Sequence, residues 1–257
     1  MDTSTGANAD YEFSGAWHLL AGVAQRETLA RSTLTALDTL YIGDDYKSTS
    51  SRAGLRYDFA SGSALSYNLQ NSRGENLNIN GLSGNSFRQT DNELRLRWVL
   101  SGKSTVSLNS AYINRRHDQF AQRDYSGVNS GINVNWSLTG QTALAAGWTR
   151  NLYSAQSANS NYVQSDRLSV GPAWQVSPKT LVRLSYAQTR DNYLGSPGAV
   201  QLPQRSDNTV STTLSLDWQP VRYLTLSSSL QSARRSSNQA LYDFASNMAT
   251  LSIQLSY

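Results

Sequence analysis

The chain has 257 residues, no cysteine and a formal charge of +4, with 19 Arg and 3 Lys against 18 acidic residues, which excludes a disulfide scaffold, cysteine-based metal sites and thiol chemistry. Only 39% of residues are AVILMFWYC and mean hydropathy is −0.48, yet there are 14 Tyr, 6 Trp and 5 Phe, a balance that fits neither an ordinary soluble globule nor a disordered chain. Basic runs never exceed two residues (Arg115-Arg116, Arg234-Arg235), which argues against nucleic acid as a partner, and no stretch approaches the ~18–20 apolar residues of a membrane helix.

From its start the chain reads as strands and turns. Met1-Asp2-Thr3-Ser4 has neither the basic nor the apolar region of an export signal. An exported chain beginning there is expected to be mature or truncated. A first strand over about 4–13 runs into a turn at Ser14-Gly15. Leu94, Leu96, Trp98 and Leu100 then alternate with Glu93, Arg95, Arg97 and Val99. Val106, Leu108 and Tyr112 mark the returning strand. Ile132, Val134, Trp136 and Leu138 alternate with Gly131, Asn133, Asn135 and Ser137. Further strands carry Leu168, Val170, Trp174 and Val176, then Leu214, Leu216 and Trp218, then Leu224, Leu226 and Leu230. Period-two alternation puts one residue class on each face of a strand.

Tight turns are predicted at Ser14-Gly15, Ser61-Gly62-Ser63, Ser101-Gly102-Lys103, Thr139-Gly140-Gln141, Ser177-Pro178-Lys179 and Gln219-Pro220-Val221. Long polar connections alternate with them, near 28–46, 75–88, 118–124, 154–162, 192–206 and 238–241. Short turns on one side and long loops on the other are the asymmetry of outer-membrane barrels, periplasmic and extracellular respectively. Trp98, Trp136 and Trp174 recur every 38 residues, as do Gly102, Gly140 and Pro178. With Phe59 and Trp218, these tryptophans form a predicted aromatic girdle beside the tight turns; Tyr112, Trp148 and Tyr186 form the opposite one. A soluble β-sandwich is the competing architecture, but its strands are typically ~5–6 residues and these run longer.

Six tight turns give twelve strands, and residues 242–257 add a thirteenth. The predicted fold is therefore all-β: one antiparallel transmembrane β-barrel domain over 1–257, with about 13 strands. Bacterial single-chain barrels have even counts. An odd number of strands, N-terminal to this segment, is thus expected to be missing from the closed barrel. The last strand places Ala249, Leu251, Ile253, Leu255 and Tyr257 on one face and Thr250, Ser252, Gln254 and Ser256 on the other. A terminal aromatic preceded by alternating apolar residues resembles the signal read by the outer-membrane barrel assembly machinery, carried here by Leu251, Ile253, Leu255 and Tyr257.

Several segments resemble the EpsL-type outer-membrane proteins of exosortase B-associated exopolysaccharide loci. They are Ser14-Gly15-Ala16-Trp17-His18-Leu19-Leu20-Ala21-Gly22, Arg95-Leu96-Arg97-Trp98 with Ser101-Gly102-Lys103-Ser104-Thr105, and His117-Asp118-Gln119-Phe120 with Gln122-Arg123-Asp124-Tyr125-Ser126-Gly127. Trp174-Gln175-Val176-Ser177-Pro178-Lys179-Thr180 and Arg234-Arg235-Ser236-Ser237-Asn238 complete the set. The resemblance covers the C-terminal portion of such a protein. It implies export of an exopolysaccharide, with the polysaccharide, outer-membrane lipid, the barrel assembly machinery and periplasmic export proteins as partners.

Catalysis is not expected. His18 and His117 are the only histidines, too few for a His-based metal site, and no cofactor or metal is predicted. His117, at a strand–loop junction, reads as a solvated loop histidine. Asp44-Asp45 fall in a long loop, where neighbours on an extended chain point to opposite faces and do not make an acid/base pair. No phosphate-binding glycine loop is present, and no serine stands out as a nucleophile for a barrel hydrolase. Opposite the apolar face lie the predicted lumen or substrate-path residues Arg52, Arg56, Glu93, Arg95, Arg97, Arg167, Arg183 and Asp217, accompanied by Asp58, Asn133, Asn135 and Gln254. Guanidinium forks suit carboxylates and sugar hydroxyls, and basic rings favour anions. The same charges could instead pair with each other and brace the wall. A channel for an exopolysaccharide and a non-conducting scaffold that anchors periplasmic partners are the two functional expectations.

Overall fold

The structure, a computed structural model, describes residues 2–28, 46–76, 86–154, 160–195 and 203–255. Thirteen strands follow one another: β1 (Asp2–Ser14), β2 (Trp17–Thr28), β3 (Tyr46–Asp58), β4 (Ala64–Asn76), β5 (Ser86–Ser101), β6 (Ser104–His117), β7 (Tyr125–Ser137), β8 (Thr142–Ser154), β9 (Tyr162–Ser177), β10 (Thr180–Leu194), β11 (Ser206–Val221), β12 (Leu224–Ser237) and β13 (Phe244–Leu255). Each pairs antiparallel with its sequence neighbours in a single sheet of order β1 to β13. The only other elements among the described residues are two three-residue 3-10 turns, at Ala121–Arg123 and Ala240–Tyr242. A single sheet of strands 12 to 16 residues long rules out the sandwich: these strands exceed the ~9–11 residues that a tilted strand needs to cross a bilayer. β1 and β13 are not paired to each other among the described residues.

The ends of the sheet differ. At the tight-turn end, registers slip at Glu12/Ser14, Val99/Ser101, Thr180/Leu181 and Trp218/Val221. Such bulges add local twist where a strand reverses. The last of them corrects the predicted turn at Gln219-Pro220-Val221. Val221 pairs with Leu224, so the turn is Arg222-Tyr223 and Pro220 lies within the bulge. Pro220 has no N–H to give to a ladder, and a bulge is one of the few places in a sheet that tolerates this. Gln219 N–H still donates to Lys179 O at 2.8 Å. Tyr257, the predicted terminal aromatic, and Asp44-Asp45 lie outside the described residues.

Parity along the registers separates the two faces. One face carries large apolar side chains that remain exposed, among them Trp98 (50%), Trp136 (47%), Trp174 (52%) and Trp218 (46%). The few buried apolar residues, including Phe87, Ile113, Tyr125 and Val163, sit on the other, polar face near the long-loop end. A water-soluble sheet buries its apolar face, and this one displays it.

Candidate functional site

The predicted path residues all fall on the polar face, but in two separate groups. The first spans β1 to β5. Arg56 and His18 are direct cross-strand partners. Arg56 Nη1 donates to Asp10 Oδ2 at 2.7 Å and Arg56 Nε to Asp58 Oδ1 at 3.0 Å. The His18 ring bridges the same two carboxylates, with Nδ1 2.8 Å from Asp10 and Nε2 3.2 Å from Asp58. Arg52 reaches across β2 to Asn8 Oδ1 at 3.0 Å. The residue it crosses is Gly22, paired with both Asn8 and Arg52. Arg95 Nε donates to Glu93 Oε1 at 2.7 Å, and Arg97 Nη1 to Gly62 O at 2.8 Å. Arg52, Arg56, Asn68 and Arg95 line a concavity of about 320 Å³ with Asn8 and Asp10.

The second group lies on β9 to β12. Arg183 pairs with Asp217, whose other carboxylate oxygen accepts from Ser227 Oγ at 2.6 Å. Arg167 Nη1 donates to Thr189 Oγ1 at 3.3 Å. Between the groups the polar face is lined by amides and glycines. Asn109 faces Gly131 directly, and Asn133 faces Gly147. Asn8 with Gly22 and Asn68 with Gly54 repeat the pairing in the first group. In each, the Asn Oδ1 lies within 2.5 Å of where a Cβ on the glycine would sit, so a side chain there has to displace the carboxamide.

At the long-loop end the polar face holds arginines stacked on aromatics. The Arg115 guanidinium lies 4.0 Å from the Phe87 ring centre, and Arg205 lies 4.4 Å from Tyr193 and 3.4 Å from Tyr242. Arg205 also pairs with Asp207, whose side chain is fully buried. Burial alone would raise the Asp207 carboxyl; hydrogen bonds from Arg205 and Ser237 outweigh it and hold it below the usual carboxylate range. His117 corrects the expectation of a solvated loop histidine. Its side chain is 1% exposed, its backbone N–H donates to Asp124 Oδ1 at 2.7 Å, and its ring tilts against Phe87. Desolvation, helped by the charge of Arg115, pushes its pKa down. Its partner strand β5 extends to Ser86 and covers it, which the sequence pattern of β6 alone does not reveal.

The predicted girdle residues all face the apolar side. Trp136, Trp174 and Trp218 occupy equivalent registers, opposite Ser104, Thr142 and Thr180, the first residues of the preceding return strands. Trp98 sits just before the Ser101/Ser104 pair. Phe59 joins Tyr57 and Trp17 in an edge-on aromatic chain with centroids 4.8 and 4.9 Å apart. Tyr112, Trp148 and Tyr186 lie on the same face further from the tight turns. Leu251, Ile253 and Leu255 of the predicted assembly signal are 72%, 64% and 65% exposed on β13. Sequence reasoning missed Trp17, Tyr57, Asn8, Asp10 and Asn68. Parity assigns each a face, but only cross-strand register brings them into a cluster.

Among the described residues no three His, Cys, Asp or Glu side chains are arranged to hold a metal ion, and no helix is long and apolar enough to cross a membrane, a statement that says nothing about strands. No curated protein matches the chain. Solved structures do. FpvA of P. aeruginosa bound to a heterologous pyoverdine aligns with a TM-score of 0.64 and 10% identity over 92% of this chain and 40% of that one. The copper transporter OprC aligns with a TM-score of 0.62 and 11% identity over 100% of this chain and 50% of that one. The ferric citrate transporter FecA in its unliganded form aligns with a TM-score of 0.59 and 9% identity over 98% and 46%. The chain spans about half or less of the length of these proteins, and the likeness shows a shared barrel-wall fold. The model of the family described as "Putative beta-barrel porin 2" matches residues 99–257, more than half of the sequence, and the chain belongs to that family.

Proposed function

We propose that the chain forms wall of an outer-membrane channel whose hydrated polar face conducts an exopolysaccharide outward. The observation that carries this reading is the partition of faces over thirteen consecutive strands: from the tight turns up to Tyr112, Trp148 and Tyr186 one face displays exposed aromatic and aliphatic side chains, while the other carries the Arg, Asp and Asn groups described above. Membership of a porin family supports a channel in the outer membrane. Exopolysaccharide as cargo is supported by the EpsL-like segments of the sequence. Guanidinium forks beside amide groups suit a hydroxylated, acidic polymer. Phe59, Trp98, Trp136, Trp174 and Trp218 would mark one bilayer interface and Tyr112, Trp148 and Tyr186 the other. The barrel assembly machinery and periplasmic export proteins are the expected partners. Thirteen antiparallel strands leave β1 and β13 parallel to each other, so antiparallel closure takes an odd number of further strands.

A non-conducting scaffold is the second reading. It is favoured by the ion pairs that occupy much of the charge on the polar face: Arg56 with Asp10 and Asp58, Arg95 with Glu93, Arg183 with Asp217. Bilayer conductance of the full-length protein separates the two. A channel conducts, is blocked by the cognate polysaccharide, and recovers in Arg95→Ala/Arg97→Ala. A sealed bilayer, or conductance unchanged at saturating polysaccharide, rejects the export path.

A further inference from the structure

At the long-loop end of the apolar face, Arg73 of β4, Arg88 of β5 and Arg116 of β6 stand directly opposite one another across three adjacent strands. Directly opposed residues have Cβ atoms ~4.5–5.5 Å apart, and like charges in that position repel. The three guanidiniums have two carboxylate partners between them. Asp118 takes two hydrogen bonds from Arg88, at 2.7 and 3.1 Å, and Asp124 is 3.9 Å from Arg116. Among the described residues, no carboxylate lies within ion-pairing distance of Arg73. All three side chains are exposed, Arg88 by 65% and Arg116 by 71%. Arg150 on the same face is a contrast within the molecule, since it holds Asp166 in a two-point ion pair at 2.7 and 3.0 Å. Among the described residues, the Arg73–Arg88–Arg116 row thus sets three cations against two partner carboxylates, with Arg73 acting on Asp118 through its charge and not by a hydrogen bond.

A groove of about 510 Å³ runs beside the row, lined on this face by Thr49, Ser51, Asn71 and Thr90 next to Arg73 and Arg88. Toward the tight turns the same strands present Tyr67, Leu69 and Leu94, 48%, 38% and 49% exposed. Cations, then hydroxyls and amides, then apolar side chains follow in order along one face.

We propose that this row binds a phosphorylated glycolipid of the surrounding membrane leaflet, with the phosphate on the guanidiniums, the sugar headgroup in the groove and the acyl chains on the aliphatic residues beyond. Planar guanidiniums bind phosphate oxygens in bidentate fashion, which offsets the mutual repulsion of the row. The inference rests on the apolar face meeting lipid and not on any cargo or conductance.

The test is native mass spectrometry of the detergent-solubilised full chain with diphosphoryl lipid A as probe. Wild type is expected to retain lipid A, and Arg73→Gln/Arg88→Gln to lose affinity by about tenfold or more, as befits loss of charge-assisted hydrogen bonds. Phosphatidylglycerol is expected to bind more weakly than lipid A, and millimolar inorganic phosphate not to displace it. Equal retention of lipid A by wild type and the variant overturns the proposal. Equal binding of phosphatidylglycerol overturns the glycolipid assignment, and displacement by inorganic phosphate points to a free-anion site instead. Arg73→Lys/Arg88→Lys keeps the charge, so loss of lipid A there with an unchanged heat-dependent gel shift assigns the binding to the guanidinium forks; full retention shows that charge alone suffices and overturns the bidentate geometry. Vesicle flotation keeps the underlying reading separate. A chain that fails to float with vesicles fails as a membrane wall, whereas one that floats but does not prefer lipid A fails only here.

Discussion

The polar face changes character between β3 and β7. β3 presents Arg52, Arg56 and Asp58, each held by a partner on β1, across β2, or on β3 itself. β7 presents Asn129, Gly131, Asn133 and Asn135 and has no charged residue anywhere along its length. On β3, charge is fixed by mutual pairing. On β7, close packing is fixed by amides laid over glycines. On the proposed channel reading, the charged sector is expected to set which ions the wall favours and the amide sector its shape. Either sector can be altered while the other is left intact.

The largest effect is expected from Arg52→Gln/Arg95→Gln. Both side chains line the β1–β5 concavity, and basic groups in a pore favour anions. The reversal potential of the full-length channel in a KCl gradient should move from the anion side toward zero. Asn133→Ala/Asn135→Ala should leave it in place. A shift in the second variant and none in the first would reverse the assignment of the two sectors.

Gly147→Val comes next. A Cβ there overlaps the Asn133 carboxamide, so the substitution should cost about 1–3 kcal/mol as overpacking, read as a lower denaturant midpoint for unfolding from lipid vesicles. Gly171→Ala is the control on β9. Its Cβ would meet only carbonyl oxygens, at 3.5 and 3.9 Å, and the cost should stay within about 0.5 kcal/mol. Equal costs would remove the amide–glycine pairing as the reason for glycine at Gly147.

The thirteen strands and the assignment of residues to faces were legible in the sequence because both are local. Alternation needs only one strand, and Gly102, Gly140 and Pro178 announce their turns. Pro220 misled because proline marks a bulge as readily as a turn, and the choice depends on the Trp218–Leu226 and Val221–Leu224 registers. The His18–Asp10–Arg56–Asp58 cluster was not legible as a cluster. Its members lie on β1, β2 and β3, and the connection from Thr28 to Tyr46 carries no register information. The Arg73–Arg88–Arg116 row was hidden in the same way, since three residues on three strands meet only through cross-strand pairing. Burial of His117 depends on how far β5 extends beside it.

A smaller effect is expected from pH. The folded-state pKa of His117 is depressed by burial and by Arg115, with Asp124 opposing. The unfolded chain therefore takes up the proton first, near pH ~6.5. Its contribution to stability is complete above that value and is lost as pH falls toward the depressed folded value. Amide protection factors across residues 118–124, taken relative to the intrinsic exchange rate at each pH, should fall below pH ~6.5 in wild type and much less in His117→Gln. Asp118, held down by hydrogen bonds from Arg88 and Ser86, acts in a lower, more acidic window.

The absence of cysteine makes the two-face assignment directly testable on β7. Single cysteines at Asn133, Val134, Asn135 and Trp136, in the full chain reconstituted into vesicles, can be probed with a water-soluble maleimide and with a thiol fluorophore quenched by lipid-borne nitroxide. Positions 133 and 135 should react with the maleimide, and positions 134 and 136 should be quenched by the lipid. Uniform reactivity at all four positions would contradict a strand that crosses the membrane with one wet face and one lipid-facing one.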